Sequence, residues 1–121
     1  MNANLAHLLE RALAAPDRAL YRHWTGERWE DVTVADVAAR AARWQAAFRR
    51  EGYAAGDRIA VAVRNGIQWV AIDQAALGLG LVVVPLYVDD NADNIAWCVE
   101  HAQARLVVVD GSRMANALRG L

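Results

Sequence analysis

The sequence predicts an α/β fold, and the arrangement of residues 56–109 carries the prediction. Three segments, residues 58–63, 81–87 and 106–109, are apolar at nearly every position rather than at every second one. Strands of this kind are buried on both faces, as in a parallel sheet covered by helices. Two stretches of helical periodicity, residues 67–79 and 91–103, separate the three segments. We therefore expect three layers around a mostly parallel, Rossmann-like sheet.

The N-terminal part is expected to place a helix and a β-hairpin before the parallel unit. Residues 4–15 carry leucines at helical spacing and stop at Pro16-Asp17. Residues 19–24 and 28–32 flank Thr25-Gly26-Glu27, a pattern typical of a hairpin.

Residues 33–51 then predict an amphipathic helix. Thr33 suits the N-cap, Asp36 places a carboxylate in the first turn, and Gly52 suits the C-terminal end. The apolar stripe consists of Val37, Ala41, Trp44 and Phe48.

The helix over residues 67–79 has no polar side, because Gln68, Asp73 and Gln74 point in different directions around its axis. A helix that is apolar nearly all round is normally covered on more than one side. The sheet accounts for one side. We expect an element outside this chain to cover the other. A helix over residues 91–103, the strand 106–109 and a final helix from Ser112 complete the order.

The composition is that of one globular domain over residues 1–121, divided into 1–55 and the βαβαβ unit 56–121. A net charge of −1 gives no reason to expect a nucleic-acid partner. No apolar run approaches the roughly 20 residues of a transmembrane segment. The N-terminal Met-Asn-Ala-Asn-Leu-Ala-His lacks the pattern of a secretory leader. Together with a lone Cys98, which cannot pair within the chain, this favours a cytoplasmic location.

No group of residues in the sequence is expected to catalyse a reaction or bind a metal ion. All thirteen basic residues are arginine, which excludes a Schiff-base lysine and a lysine-containing phosphate loop within the chain. The three histidines lie in separate segments. The acidic loop at residues 89–93 lacks the glycine and distal glutamate of a calcium loop, so we interpret it as a solvated loop that caps the next helix.

The loop after the first apolar strand comes nearest to a ligand site. It reads Arg64-Asn65-Gly66, without the further glycines of a dinucleotide-binding loop. Arg64 and the start of the next helix offer a place for an anion, since backbone amides point there. Simple capping of that helix by Asn65 is the more common arrangement.

Three segments, in chain order, carry a resemblance to a known enzyme family. The first is Gly56-Asp57-Arg58-Ile-Ala-Val-Ala-Val63-Arg-Asn65-Gly-Ile-Gln-Trp69, the second Gly80-Leu-Val-Val-Val-Pro85-Leu-Tyr87, and the third residues 95–109. They resemble the first core strands and helices of acyl-CoA synthetases, which are adenylate-forming enzymes, and the Pro-Leu-Tyr ending is most similar to the long-chain fatty acid branch. Gln68 stands where that family usually has glutamate, and Arg105 where it usually has lysine.

The resemblance implies the N-terminal, incomplete subdomain of the adenylate-forming fold. In such enzymes a fatty acid or other carboxylate reacts with ATP, in the presence of Mg²⁺, to give an acyl-adenylate, and the acyl group then passes to CoA. The family's phosphate loop, metal motif and catalytic lysine lie beyond the position equivalent to Leu121. The resemblance therefore implies that this chain alone is inactive, contains no catalytic or metal residues, needs no cofactor, and has the rest of a synthetase as its main partner.

Within this framework Asn65, Trp69 and Tyr87 are the candidate substrate-binding residues, because they follow the carboxyl ends of the first two parallel strands. The helix over residues 67–79 or a bare sheet edge is expected to cause self-association. The alternative is a stand-alone flavodoxin-like module that binds a nucleotide or a protein partner.

Overall fold

The computed structural model describes residues 4–120. In chain order its elements are a 3₁₀ turn at Leu5–His7, α1 (Leu8–Ala12), β1 (Ala19–Trp24), β2 (Trp29–Thr33), α2 (Val34–Arg50), β3 (Arg58–Ala62), α3 (Ile67–Gly78), β4 (Val82–Pro85), α4 (Ala92–His101), β5 (Leu106–Val109) and α5 (Gly111–Arg119). The prediction that the chain lacks a secretory leader rests on residues 1–7, of which residues 1–3 lie outside the described range. No helix among the described residues has both the length and the apolar character needed to cross a membrane.

The parallel sheet has the order β4-β3-β5, so β3 is its middle strand. β3 pairs in parallel with both neighbours, and every residue from Ile59 to Ala62 is buried. The chain leaves β3 toward one edge and returns across it to the other. With right-handed crossovers, α3 and α4 therefore lie on opposite faces of the sheet. The predicted three-layer α/β architecture is confirmed.

The larger core lies on the face covered by α2 and α3. Ile59 and Val61 of β3 pack there with Phe48 of α2 and Ile72 of α3. Successive strand residues alternate between faces, so Ala60 and Ala62 point toward the opposite layer, to which α4 contributes the buried Ile95. From Ile59 to Ala62 the strand is apolar at every position because neither face of that stretch meets solvent.

The predicted hairpin is present, and it forms a separate antiparallel sheet of β1 and β2. Trp24 and Trp29 are cross-strand partners near its tip, with ring centroids 5.5 Å apart. Both residues are at least half exposed, at 50% and 63%. The hairpin therefore presents aromatic surface outside the core.

The start of α2 is fixed by a capping box. The Thr33 hydroxyl oxygen accepts the Asp36 N–H at 3.1 Å, and the Asp36 carboxylate accepts the Thr33 N–H at 3.0 Å. This satisfies two N–H groups that have no partner within the helix. Hydrogen bonding to Thr33, mainly through its backbone N–H, lowers the pKa of Asp36.

The flank of α3 that we expected an outside element to cover is covered by α2. The Gln45 amide of α2 donates to the Ala75 carbonyl at 3.2 Å, and a Cβ added at Gly78 would clash with the Gln45 amide nitrogen. The two helices can approach this closely because α3 has only small residues at positions Ala71, Ala75 and Gly78. The expected self-association through α3 therefore loses its basis. The large apolar side chains that are exposed lie elsewhere: Leu5, Leu8, Leu13, Tyr21, Trp24, Trp29, Val82, Tyr87 and Trp97.

A polar cluster joins the beginnings of β3 and β5. The Asp57 carboxylate accepts the Ala54 N–H at 2.8 Å and is paired with the Arg105 guanidinium. That guanidinium also lies over the Tyr53 ring, 5.1 Å from its centroid. The backbone N–H of Ala54, and then Arg105, lower the pKa of Asp57, so the folded state favours the ionised carboxylate.

Gln103→Gly is expected to stabilise the chain. Gln103 follows α4 with a φ of 54°, whereas the equivalent residue after α2 is Gly52, with a φ of 82°. A side chain in this left-handed conformation is strained, so glycine should raise the free energy of unfolding by about 1 kcal/mol in urea titrations. Gly52→Ala is the matched control. Nothing lies within 4 Å of a Cβ at that position, so strain alone should lower stability by about 1 kcal/mol. A loss of stability in Gln103→Gly would contradict this reading.

Asp73→Asn and Asp57→Asn are the same chemical change and should have opposite effects. Partial burial raises the pKa of Asp73, so its charge opposes folding at pH 7 and the opposition disappears below about pH 4. Asp73→Asn should therefore stabilise the chain at pH 7 and be neutral near pH 3. Asp57 has a lowered pKa, so it stabilises the fold above about pH 4 and that contribution is lost as pH falls. Urea titrations at both pH values measure the two variants, and the same sign of change in both at pH 7 would refute the assignment.

Candidate functional site

An open cleft of about 720 Å³ lies beside the carboxyl ends of β3 and β4. Its wall combines the loop after β3, the first turn of α3 and the segment that follows β4. Asn65, Trp69 and Tyr87, the three candidate residues from the sequence, all line it. They come together because the carboxyl ends of parallel strands meet at one edge of a sheet, which is where open α/β sheets bind ligands.

Asn65 does not cap α3. The N-cap is Gly66, and no side-chain capping hydrogen bond is made at this end of the helix. The capping interpretation of Asn65 was therefore wrong by one position. Its exposed amide borders the cleft instead.

The two aromatic residues of the cleft are held differently. Trp69 is half buried, and one side of it packs against the core cluster that contains Ile72 and Val61. Tyr87 is 87% exposed and extends from the chain just after β4. Its neighbour Leu86 donates its N–H to the Val61 carbonyl at 2.9 Å, so the backbone leading to Tyr87 is still joined to the sheet.

Arg64 connects the loops that follow all three parallel strands. Its backbone N–H donates to the Asp110 carboxylate, after β5, at 2.6 Å. Its guanidinium donates to the Asp89 carboxylate, after β4, at 3.2 Å. Sequence reasoning considered Arg64 but missed Asp110. The sequence did carry a clue to this contact. Each of the two residues directly follows an apolar strand, and the ends of parallel strands in one sheet lie close together.

The acidic loop before α4 is organised by its own side chains. The Asp90 carboxylate accepts the Asn91 N–H at 2.8 Å and the Asn94 side-chain amide at 2.9 Å. The Asn91 side chain accepts the Asn94 N–H and caps α4, as the sequence predicted for this loop. Within residues 4–120 no three histidine, cysteine or acidic side chains are grouped so that they could hold a metal ion.

A second cleft, of about 460 Å³, lies between the strand ends and α5. It shares Arg64, Val88 and Asp89 with the first cleft, and Asp110 and Arg113 belong to it alone. The Arg64–Asp89 ion pair therefore forms part of the partition between the two clefts.

Comparison with known proteins assigns the chain to a family. The AMP-binding enzyme family matches residues 8–120. This chain belongs to that family. Membership confirms the resemblance to acyl-CoA synthetases seen in the sequence, and it leaves the stand-alone flavodoxin-like alternative without a supporting observation.

Individual relatives agree with this assignment. The long-chain-fatty-acid–CoA ligase FadD15 of Mycobacterium bovis is 28% identical over 116 residues, which are 96% of this chain and 19% of that protein. The solved structure of VinN has a TM-score of 0.88 at 24% identity, over 98% of this chain and 29% of that one. A benzoate CoA ligase from Burkholderia xenovorans has a TM-score of 0.82 at 21% identity, over 98% and 23%. The two structures show a common fold, and this chain spans about a fifth of the length of the curated relatives it matches.

Asp110→Ala is expected to loosen the loop after β3. Its carboxylate accepts the Arg64 N–H, and hydrogen bonds to charged groups are among the stronger ones. Amide hydrogen exchange at Arg64, followed by NMR, should become about tenfold faster in the variant. Exchange at Ile59, inside β3, serves as the control and should not change. Equal protection of Arg64 in both proteins would show that the contact has no role in solution.

Proposed function

We propose that this chain is the N-terminal segment of an AMP-forming acyl-CoA synthetase and that it supports the substrate-binding core of that enzyme. The observation that carries the proposal is the family match over residues 8–120, together with relatives several times longer than this chain. In the parent enzyme, an acid–thiol ligase, a fatty acid or other carboxylate is activated by ATP and Mg²⁺ as an acyl-adenylate. The acyl group is then transferred to CoA.

Within the parent enzyme, we propose that Asn65, Trp69 and Tyr87 contact the acyl substrate. All three line the cleft at the strand ends. Trp69 and Tyr87 offer aromatic surface, which suits an apolar acyl group, and Asn65 offers an amide that can donate and accept hydrogen bonds. Trp69 has the firmer support because the core holds one side of its ring.

The larger cleft offers little that could hold the phosphates of ATP. The only cationic side chain in the wall of the larger cleft is Arg64, and it is paired with Asp89. The loop after β3 has one glycine, and the chain has no lysine, so a cradle for a triphosphate is lacking in this part of the protein. We therefore assign no catalytic step to the residues of this segment. ATP, Mg²⁺ and CoA belong to the proposed parent enzyme.

The substrate is proposed only as a carboxylate. A long-chain fatty acid ligase and a benzoate ligase both match this segment, although their acids differ greatly in shape. This supports a scaffolding role in which other parts of the enzyme select the acid. The cytoplasmic location and the remainder of the synthetase as partner remain predictions.

The proposal is tested by AMP formation. The 121-residue chain, incubated with ATP, Mg²⁺, CoA and either palmitate or benzoate, should release no pyrophosphate or AMP. The source gene is then read beyond the codon for Leu121 and its product assayed in the same way. Acid-dependent AMP formation by a longer product, together with no activity of the short chain, is the expected outcome. Turnover by the short chain would refute its role as a scaffold.

A further inference from the structure

The two charged side chains that line the larger cleft are paired with each other. Among the residues that line it, Arg64 is the only cationic side chain and Asp89 the only anionic one, and the two are paired at 3.2 Å. The rest of the wall is mainly apolar or aromatic and includes Trp69, Leu86 and Tyr87. The cleft therefore contains one strong anion-binding group that is occupied by a residue of the same chain.

The pair between Arg64 and Asp89 is easy to separate. Their side chains are 70% and 79% exposed, and the contact is a single hydrogen bond rather than a bidentate one. Exposed pairs of this kind are weak, because water screens the charges and holding the flexible arginine side chain in one geometry costs entropy. An anion from solution can therefore compete with Asp89 for the guanidinium.

The surrounding backbone does not depend on the pair. The Arg64 N–H is held by Asp110 at 2.6 Å, so the guanidinium can change partners while the residue stays in position. The loop that carries Asp89 is held by Asp90, whose carboxylate bonds to Asn91 and Asn94. Release of Asp89 consequently requires movement of side chains and no unfolding of either loop.

We propose that Arg64 is an anion-binding residue masked by Asp89, and that the cleft takes an organic carboxylate with an apolar or aromatic body. The carboxylate replaces Asp89 on the guanidinium while the body lies against Trp69 and Tyr87. The choice of a carboxylate rests on the proposed function. The masking itself rests on the geometry of Arg64, Asp89 and Asp110. Asp89 then acts as a built-in competitor that lowers the affinity for every anion.

The experiment compares 2-naphthoate with its uncharged analogue 2-naphthamide on the 121-residue chain. Binding is followed by NMR shifts of the Trp69 indole and the Arg64 guanidinium. Asp89→Asn should strengthen naphthoate binding by about two- to five-fold and leave naphthamide unchanged. Asp93→Asn is the matched control. It removes one exposed carboxylate from the first turn of α4, outside both clefts, and should have little effect.

Arg64→Gln should reduce naphthoate binding to the level of naphthamide, and Arg64→Lys should retain the preference for the anion. Thermal unfolding of each variant shows that the fold is kept. Equal binding of the two probes by the unmodified chain would overturn the proposal, as would an Asp89→Asn effect no larger than that of Asp93→Asn. These results do not depend on AMP formation. A gene product without synthetase activity would refute the proposed function and leave the masked anion site standing.

Discussion

The structure depends on β3 being buried on both faces. This strand pairs with β4 on one side and β5 on the other, and all residues from Ile59 to Ala62 are removed from water. The burial of apolar surface is the main favourable contribution to folding. It also positions the helical layers, since α2 and α3 pack on one face of β3 while α4 lies on the other. The loops at its carboxyl end therefore start from a rigid base.

The candidate site inherits its geometry from that base. Arg64 lies two residues after the end of β3. Its backbone N–H bonds to the loop that follows β5, and its guanidinium bonds to the loop that follows β4. Of the two contacts, the exposed ion pair with Asp89 adds little to stability. Their importance lies in position, because they join three loops at the edge where parallel strands leave the sheet. The cleft is thus placed by the core and only shaped by polar residues.

Much of the fold could be predicted because its signals are local. Thr33 with Asp36 forms the capping box that the sequence indicated, and the uninterrupted apolar run of β3 indicated a central strand. The cover of α3 could not be predicted in this way. Its lack of a polar side showed that something must pack there, but α2 was identified only by the contact between Gln45 and Ala75. Residues 30 positions apart leave no mark in helical periodicity.

The sequence by itself determined the order of the elements, the α/β class, and the grouping of Asn65, Trp69 and Tyr87 near the ends of two strands. These follow from apolar spacing and from the rule that parallel strands end at a common edge. Only the tertiary structure decided that Gly66 rather than Asn65 precedes α3 as its cap, and that Arg64 is shared between Asp89 and Asp110. Those contacts join residues from three separate loops. Their distances depend on how the strands are ordered in the sheet, which the spacing of residues along the chain does not specify.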